Sequence, residues 1–291
     1  MPHTMSRMGD VLAGFHAVWE FESDSVLIRY ERGIRTPRLF QALGERRIPL
    51  AAVEEVTLTP GKRGSVVLRL RPRPGADPLM DAAAGQLREG SDPYRLVLPA
   101  ERATLAEYYA DELKPLLTES GPEPAERWLV AAPEAPLQFK AYDGKASFDG
   151  TSVQFRWSWT GASSAKWKAG DQSWPVADLS GVEWRSPEVF EGHLRLVPRE
   201  GDSTRPAQPD QDPAAVVFGL GYGPVHESLP FAAAVLAALC TRGPVPVAPA
   251  PPRRDPADIA ERIRHLGELH QAGLVTDEEF SSKKAELLAE L

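Results

Sequence analysis

The residues best equipped for chemistry in this chain are basic. Arg29, Arg32, Arg35 and Arg38 recur at every third position and are followed by Arg46 and Arg47. From Arg29 to Arg73 there are eleven Lys or Arg against four Glu, a local +7 in a chain of net charge −8. Guanidinium groups present forked donors that match phosphate and carboxylate oxygens, so such a loop can hold a phosphate or an anionic lipid headgroup. The plainer alternative is a solvated strand face whose charges pair with acidic side chains elsewhere. The corresponding part of the second half of the chain keeps only Arg156, Lys166 and Lys168, so an anion site of this kind belongs to the first half.

Other chemistries find less support. The six histidines are scattered, and no pair has metal-ligand spacing. There is no Gly-x-Ser-x-Gly elbow and no phosphate loop. Val216–Gly223 carries glycines between an expected strand and an expected helix, but Pro224 and Val225 stand where a dinucleotide fingerprint needs its next glycine. That stretch reads as a turn. The expectation is a protein with no catalytic residue, metal or cofactor; an enzyme of unrecognised type requires scattered residues to converge in space. The acidic net charge argues against nucleic acid as a partner. Of seven tryptophans, six follow residue 127; Trp157 and Trp159 share a strand face, read as core filling rather than as a grip for a partner. The single cysteine, Cys240, excludes an intrachain disulfide and reads as a small buried hydrophobe. With no signal-peptide pattern and no apolar run approaching the ~20 residues of a membrane span, a cytoplasmic protein is expected.

The elements that must position these residues are written twice. Shifted by 126 positions, Ile48–Gly75 lies without a gap on Trp174–Gly201, and nine of the 28 pairs are identical, among them Ala51/Ala177, Arg69/Arg195 and Arg73/Arg199. Unrelated segments of that length would share roughly two, so this is an internal duplication of a domain-sized unit. Each unit shows six or seven period-two strands followed by one helix, an α+β layout in which a bent antiparallel sheet is closed at one end by its C-terminal helix. In the first unit the strands are expected at Phe15–Phe21, Val26–Tyr30, Leu39–Leu43, Val53–Leu58, Val66–Leu70 and Tyr94–Leu98. Residues 1–13 read as a frayed leader. A short helix falls in Met80–Leu87, within the excursion from Pro72 to Pro93. The closing helix, Glu101–Leu117, carries Leu105, Tyr108, Tyr109, Leu113, Leu116 and Leu117 on one side. The second unit repeats the order, with strands that include Ala165–Lys168 and a closing helix at Ser228–Leu239.

Gly243–Arg254 alternates Pro with Val and Ala, a semi-rigid spacer of about 35–40 Å in polyproline II geometry. The remainder reads as a helical hairpin. Asp255-Pro256 starts its first helix and Gly273 ends it, and Thr276-Asp277-Glu278-Glu279 forms a capping box for the second. Ile263, Leu266, Leu269, Phe280, Leu287 and Leu288 form apolar stripes that so short a segment cannot bury by itself, so these six residues are expected to mediate oligomerisation. The domains therefore read as 10–119, 128–242, a linker at 243–255 and a hairpin at 256–291.

Specific stretches resemble known families. Ile48–Val56, then Leu68-Arg69-Leu70, then a closing helix is similar to bacterial pleckstrin-homology (PH)-like domains. Gly75-Ala76-Asp77-Pro78-Leu79 through Gly85-Gln86-Leu87 to Asp92-Pro93-Tyr94 resembles an actinobacterial family of uncharacterised function with two such domains in tandem. Gly273–Phe280 with Lys284 resembles the short C-terminal (SHOCT) domain, for which oligomerisation has been proposed. These resemblances imply two tandem PH-like domains gathered by the tail into a homo-oligomer or onto a SHOCT-like partner chain. The function expected is a non-catalytic binding scaffold, with an anionic-lipid sensor acting through Arg29, Arg32, Arg35, Arg38, Arg46 and Arg47 as the alternative; the partner is another protein or a membrane surface.

Overall fold

Alternating hydrophobicity in residues 10–98 and again in 137–217 builds fourteen strands among the described residues, and the two halves repeat one another strand by strand. The computed structural model describes residues 10–117, 123–199 and 208–240. In the first half, β1 (Asp10–Ala13), β2 (Ala17–Phe21), β3 (Ser25–Tyr30) and β4 (Glu45–Pro49) form an antiparallel meander. A second meander holds β5 (Val53–Pro60), β6 (Val66–Pro72) and β7 (Arg95–Leu98), and a closing helix follows at Ala103–Leu117. The second half has β8 (Leu137–Lys140), β9 (Gly144–Phe148), β10 (Ser152–Trp157) and β11 (Gln172–Pro175) in one sheet. Its other sheet holds β12 (Leu179–Arg185), β13 (His193–Pro198) and β14 (Ala215–Val217), and Val225–Cys240 closes it. In chain order the helices are α1 (Arg38–Leu43), α2 (Pro78–Ala83), α3 (Ala103–Leu117), α4 (Ser164–Ala169) and α5 (Val225–Cys240). Seven strands and a closing helix per repeat agree with the α+β expectation.

Even the irregularities are copied. The β5–β6 ladder slips between Val53 and Glu55, and the β12–β13 ladder slips between Leu179 and Gly181, 126 positions later. The identities seen in sequence follow from shared hydrogen bonds. Arg73 donates to the Ala51 carbonyl and Arg199 to that of Ala177. Arg69 pairs with Asp92 at 2.9 Å while Asp92 also accepts the Tyr94 amide. Arg195 and Asp212 do the same at 2.8 Å, with the Ala214 amide. In both repeats an Asx turn thus launches the last strand.

Several local expectations are corrected. Residues 10–13 are a strand paired with β2, not leader. Leu39–Leu43 and Ala165–Lys168 are helical. Each lies between two antiparallel strands, and α1 drives Leu39 and Phe40 inward at helical rather than alternating spacing. On α3 the buried face is Ala106, Tyr109, Ala110, Leu113 and Leu117, whereas Leu105, Tyr108 and Leu116 are exposed. Tyr109 sets this rotation by stacking on Phe21 with ring centroids 4.3 Å apart. Cys240 is exposed, because it ends α5 beyond the covered stretch. The linker at 243–255 and the hairpin at 256–291 lie outside the described residues.

The repeats share a core, which the tandem reading did not anticipate. Leu39 of α1 and Leu79, Ala82 and Ala83 of α2 belong to the hydrophobic cluster of the second repeat, packed with α5 and β12. This explains a difference between the closing helices. Helix α3 is covered on one face and is amphipathic, while α5 is buried from Ser228 to Val235 all the way round. A helix apolar on every side must be covered on every side. Gln86 adds polar register across the seam. Its amide donates to the Trp184 carbonyl at 2.9 Å and accepts the Ser186 N–H at 3.0 Å. Leu79→Ala removes a side chain with no exposed surface, at an expected cost of about 2–5 kcal/mol. Calorimetry should show the residual melting shifted down as a single transition. Two separated transitions in the parent protein would show that the repeats unfold independently.

Candidate functional site

Of the six arginines proposed from sequence to face an anion, three are spent within the fold. Arg46 points inward from β4 and is 7 % exposed. Its two terminal nitrogens lie 2.8 and 3.0 Å from the carboxylate oxygens of Asp77, itself fully buried. Asp77 also caps α2, accepting the Leu79 amide at 2.9 Å, and accepts the Tyr94 hydroxyl at 2.7 Å. The Tyr30 hydroxyl reaches the Pro93 carbonyl at 2.9 Å in the same centre. Burial, the largest single influence, lowers the Arg46 pKa, but the Asp77 charge and hydrogen bond together with Tyr94 and Tyr30 outweigh it and raise it overall. Burial first, then the Asp77 charge, raises Tyr94 well above the ordinary phenol range, and burial raises Tyr30 likewise. Arg46 is therefore a structural residue that ties β4 to α2, and it leaves the anion-facing set. Arg29 pairs with Glu20 and, at 3.0 Å, with Glu45. Arg47 pairs with Glu22 and donates to Ser25.

Arg32, Arg35 and Arg38 remain. Arg32 and Arg35 lie on the exposed turn between β3 and α1 and Arg38 opens α1, and no ion pair engages them among the described residues. The turn itself is built: the Thr36 amide donates to the Gly33 carbonyl, and the Gln41 side chain of α1 donates to the carbonyls of Gly33 and Thr36.

The second repeat holds a buried pair of its own, at a different position from Arg46. Lys166, read from sequence as part of a basic loop, is turned inward by α4 and has no exposed surface. Its Nζ lies 2.5 Å from Asp143, 2.8 Å from the Ala215 carbonyl and 4.9 Å from the centre of the Trp157 ring. Asp143 also accepts the Val217 amide at 2.9 Å. Burial outweighs the attraction between the partners, lowering the Lys166 pKa and raising that of Asp143. Phe40 stacks on Tyr30 in the first repeat where Lys166 meets Trp157 in the second, so one contact position carries two chemistries. The tryptophans divide: Trp157 and Trp184 are core, but Trp159 is 75 % exposed and meets the exposed Trp167 edge-on at 5.2 Å.

A concavity of about 580 Å³ lies along the seam between the repeats. One wall is Pro37 and Arg38 of the first repeat. The others are Pro187–Gly192 and Phe218–His226 of the second. Phe190 and Leu220, on its rim, are 82 % and 102 % exposed. Sequence reading missed these residues; the signal was a leucine and a tyrosine inside a glycine stretch, weighed as a nucleotide loop and read as a plain turn. The turn is tight, with the Gly219 and Tyr222 amides each donating to the other's carbonyl and Gly221 at φ +80°.

Two family profiles match the chain. "Domain of unknown function (DUF4429)" matches twice, over residues 19–114 and 146–236, coinciding with the two structural repeats. The chain belongs to this family. "Short C-terminal domain" (SHOCT) matches residues 261–288. No match is found among curated proteins. The DUF4429 matches end within α3 and α5, so each closing helix is part of the repeating unit. The motif stretch 75–94 that carried the resemblance in sequence contains the buried hub: Asp77 and Tyr94 hold Arg46, and Asp92 holds Arg69.

The six apolar tail residues Ile263, Leu266, Leu269, Phe280, Leu287 and Leu288 lie outside the described residues. No group of three or more His, Cys, Asp or Glu is placed to hold a metal among the described residues. No helix of the described residues is long and apolar enough to cross a membrane.

Proposed function

We propose that this DUF4429 protein is a non-catalytic binding scaffold, in which two PH-like repeats form one presenting body and the short C-terminal domain oligomerises it. The observation that carries the reading is the shared core: α1 and α2 of the first repeat sit in the hydrophobic cluster of the second, so both repeats move as one piece. The four-plus-three strand order closed by a helix, repeated twice, supports the PH-like assignment. The profile match at 261–288 supports a self-associating tail, which multiplies weak contacts of the body through avidity. Light scattering on the full chain is expected to give a multiple of the 31.8 kDa chain mass. Truncation before Asp255 should reduce it to one copy. A monomer in both cases rejects the scaffold.

A second reading, an anionic-lipid or phosphate sensor, is favoured by one observation: Arg32 and Arg35 on a built turn and Arg38 at the start of α1 are exposed, and none has an ion-pair partner among the described residues. The vesicle arm of the experiment below tests it.

A further inference from the structure

Large apolar side chains held clear of their own protein cost solubility unless something covers them. Phe190 and Leu220 are the two most exposed large apolar side chains on the rim of the seam groove, and Val189 and Tyr222 beside them are also exposed. The loops that carry them are fixed before any partner arrives. The Phe218 amide donates to the Gly192 carbonyl at 2.8 Å, joining the two loops. The Glu188 amide donates to the Ser186 hydroxyl, and the Glu188 carboxylate pairs with Arg88 at 2.9 Å. Preorganised apolar anchors beside a concavity lower the ordering cost of association.

Charge gives the groove a direction. Its first-repeat wall carries Arg38, with Arg35 and Arg32 on the chain leading into it outside the lining; the acidic groups nearby are Glu31 on that chain and Glu227, which stands against His226. At the other end Glu188 is neutralised by Arg88, and Glu191 stands beside Phe190. His226 on the wall has its pKa lowered by burial, which keeps it neutral near pH 7. The occupant that fits is a polypeptide segment with aliphatic or aromatic anchors over Phe190, Leu220 and Tyr222 and carboxylates toward Arg38 and Arg35. A lipid surface fits less well. It would meet Glu191 among the apolar tips.

We propose that the seam groove between the repeats is the docking site for a short apolar-then-acidic peptide segment of a partner protein. This rests on the scaffold reading and names its partner class and site. The test is selection of a random-peptide display library on the full-length chain. Vesicles of phosphatidylserine and phosphatidylcholine form a parallel arm. The expected result is enrichment of peptides pairing an apolar anchor with Asp or Glu. Their affinity should fall at least about tenfold in Leu220→Ser and in Phe190→Ser, the loss of a central anchor. It should also fall in Arg35→Glu/Arg38→Glu, more steeply at low salt, and hold in Lys145→Glu, outside the groove. All four are surface changes, and unchanged melting would confirm that each variant folds. No enriched peptide class, or enriched peptides indifferent to Leu220 and Phe190, overturns the proposal. Vesicle binding lost in the same variants, with no peptide enriched, overturns it in favour of the lipid reading. Light scattering of the same samples separates this from the scaffold: a monomeric full chain that still binds peptide at the groove refutes the assembly and leaves the site standing.

Discussion

Replacing Asp77 with alanine is expected to destabilise the protein by about 3–5 kcal/mol, the cost of leaving a buried charge uncompensated. One carboxylate holds both terminal nitrogens of Arg46, the Tyr94 hydroxyl and the Leu79 amide, and none of these can turn to water. The loss reaches both repeats, because Asp77 caps the helix whose Leu79, Ala82 and Ala83 complete the second core. Denaturant titration should show the midpoint lowered with little change in slope. Arg46→Met on top of Asp77→Ala removes the stranded guanidinium and should recover part of the loss. If the double variant is no more stable than the single, the pair is not what Asp77 contributes.

Lys166→Ala should cost a comparable amount, about 3–5 kcal/mol. It strands the Asp143 carboxylate, leaves the Ala215 carbonyl without its donor and opens space beside Trp157. Burial already opposes the charged forms of both partners, raising Asp143 and lowering Lys166. A neutral replacement of similar shape should therefore be tolerated. Lys166→Met with Asp143→Asn keeps the chain volume and an acceptor for the Val217 amide, and is expected within about 1–2 kcal/mol of the parent. Urea midpoints of the three proteins check this. A double variant as unstable as Lys166→Ala would mean that the ion pair itself, with its geometry, holds α4 to the sheet.

Both centres show how far a sequence can be read. The duplication was legible because the ladder hydrogen bonds and the Asx turns demand particular residues in both copies: Arg73 and Arg199 on a carbonyl, Asp92 and Asp212 ahead of a strand. The basic stretch was legible as charge but not as geometry. Arg46 and Arg47 are neighbours, yet strand alternation turns Arg46 into the core and Arg47 out to Glu22. Lys166 looked like a surface residue until α4 was seen to be helical, which changes the side it faces. Short apolar runs such as Leu39–Leu43 fit a strand or a helix equally well, and only their neighbours decide.

By itself the sequence determined the strand-rich repeat, its copying and the closing helix of each copy, since these follow from local periodicity and turn chemistry. Tertiary structure alone decided which polar side chains are buried against one another, and that α2 of one repeat fills the core of the other. It also decided that Phe190, Leu220 and Arg38 border one groove although they lie far apart in the chain. The reason is physical: periodicity fixes which face of an element is apolar, whereas the choice of what covers that face depends on contacts between distant segments, which no local pattern encodes.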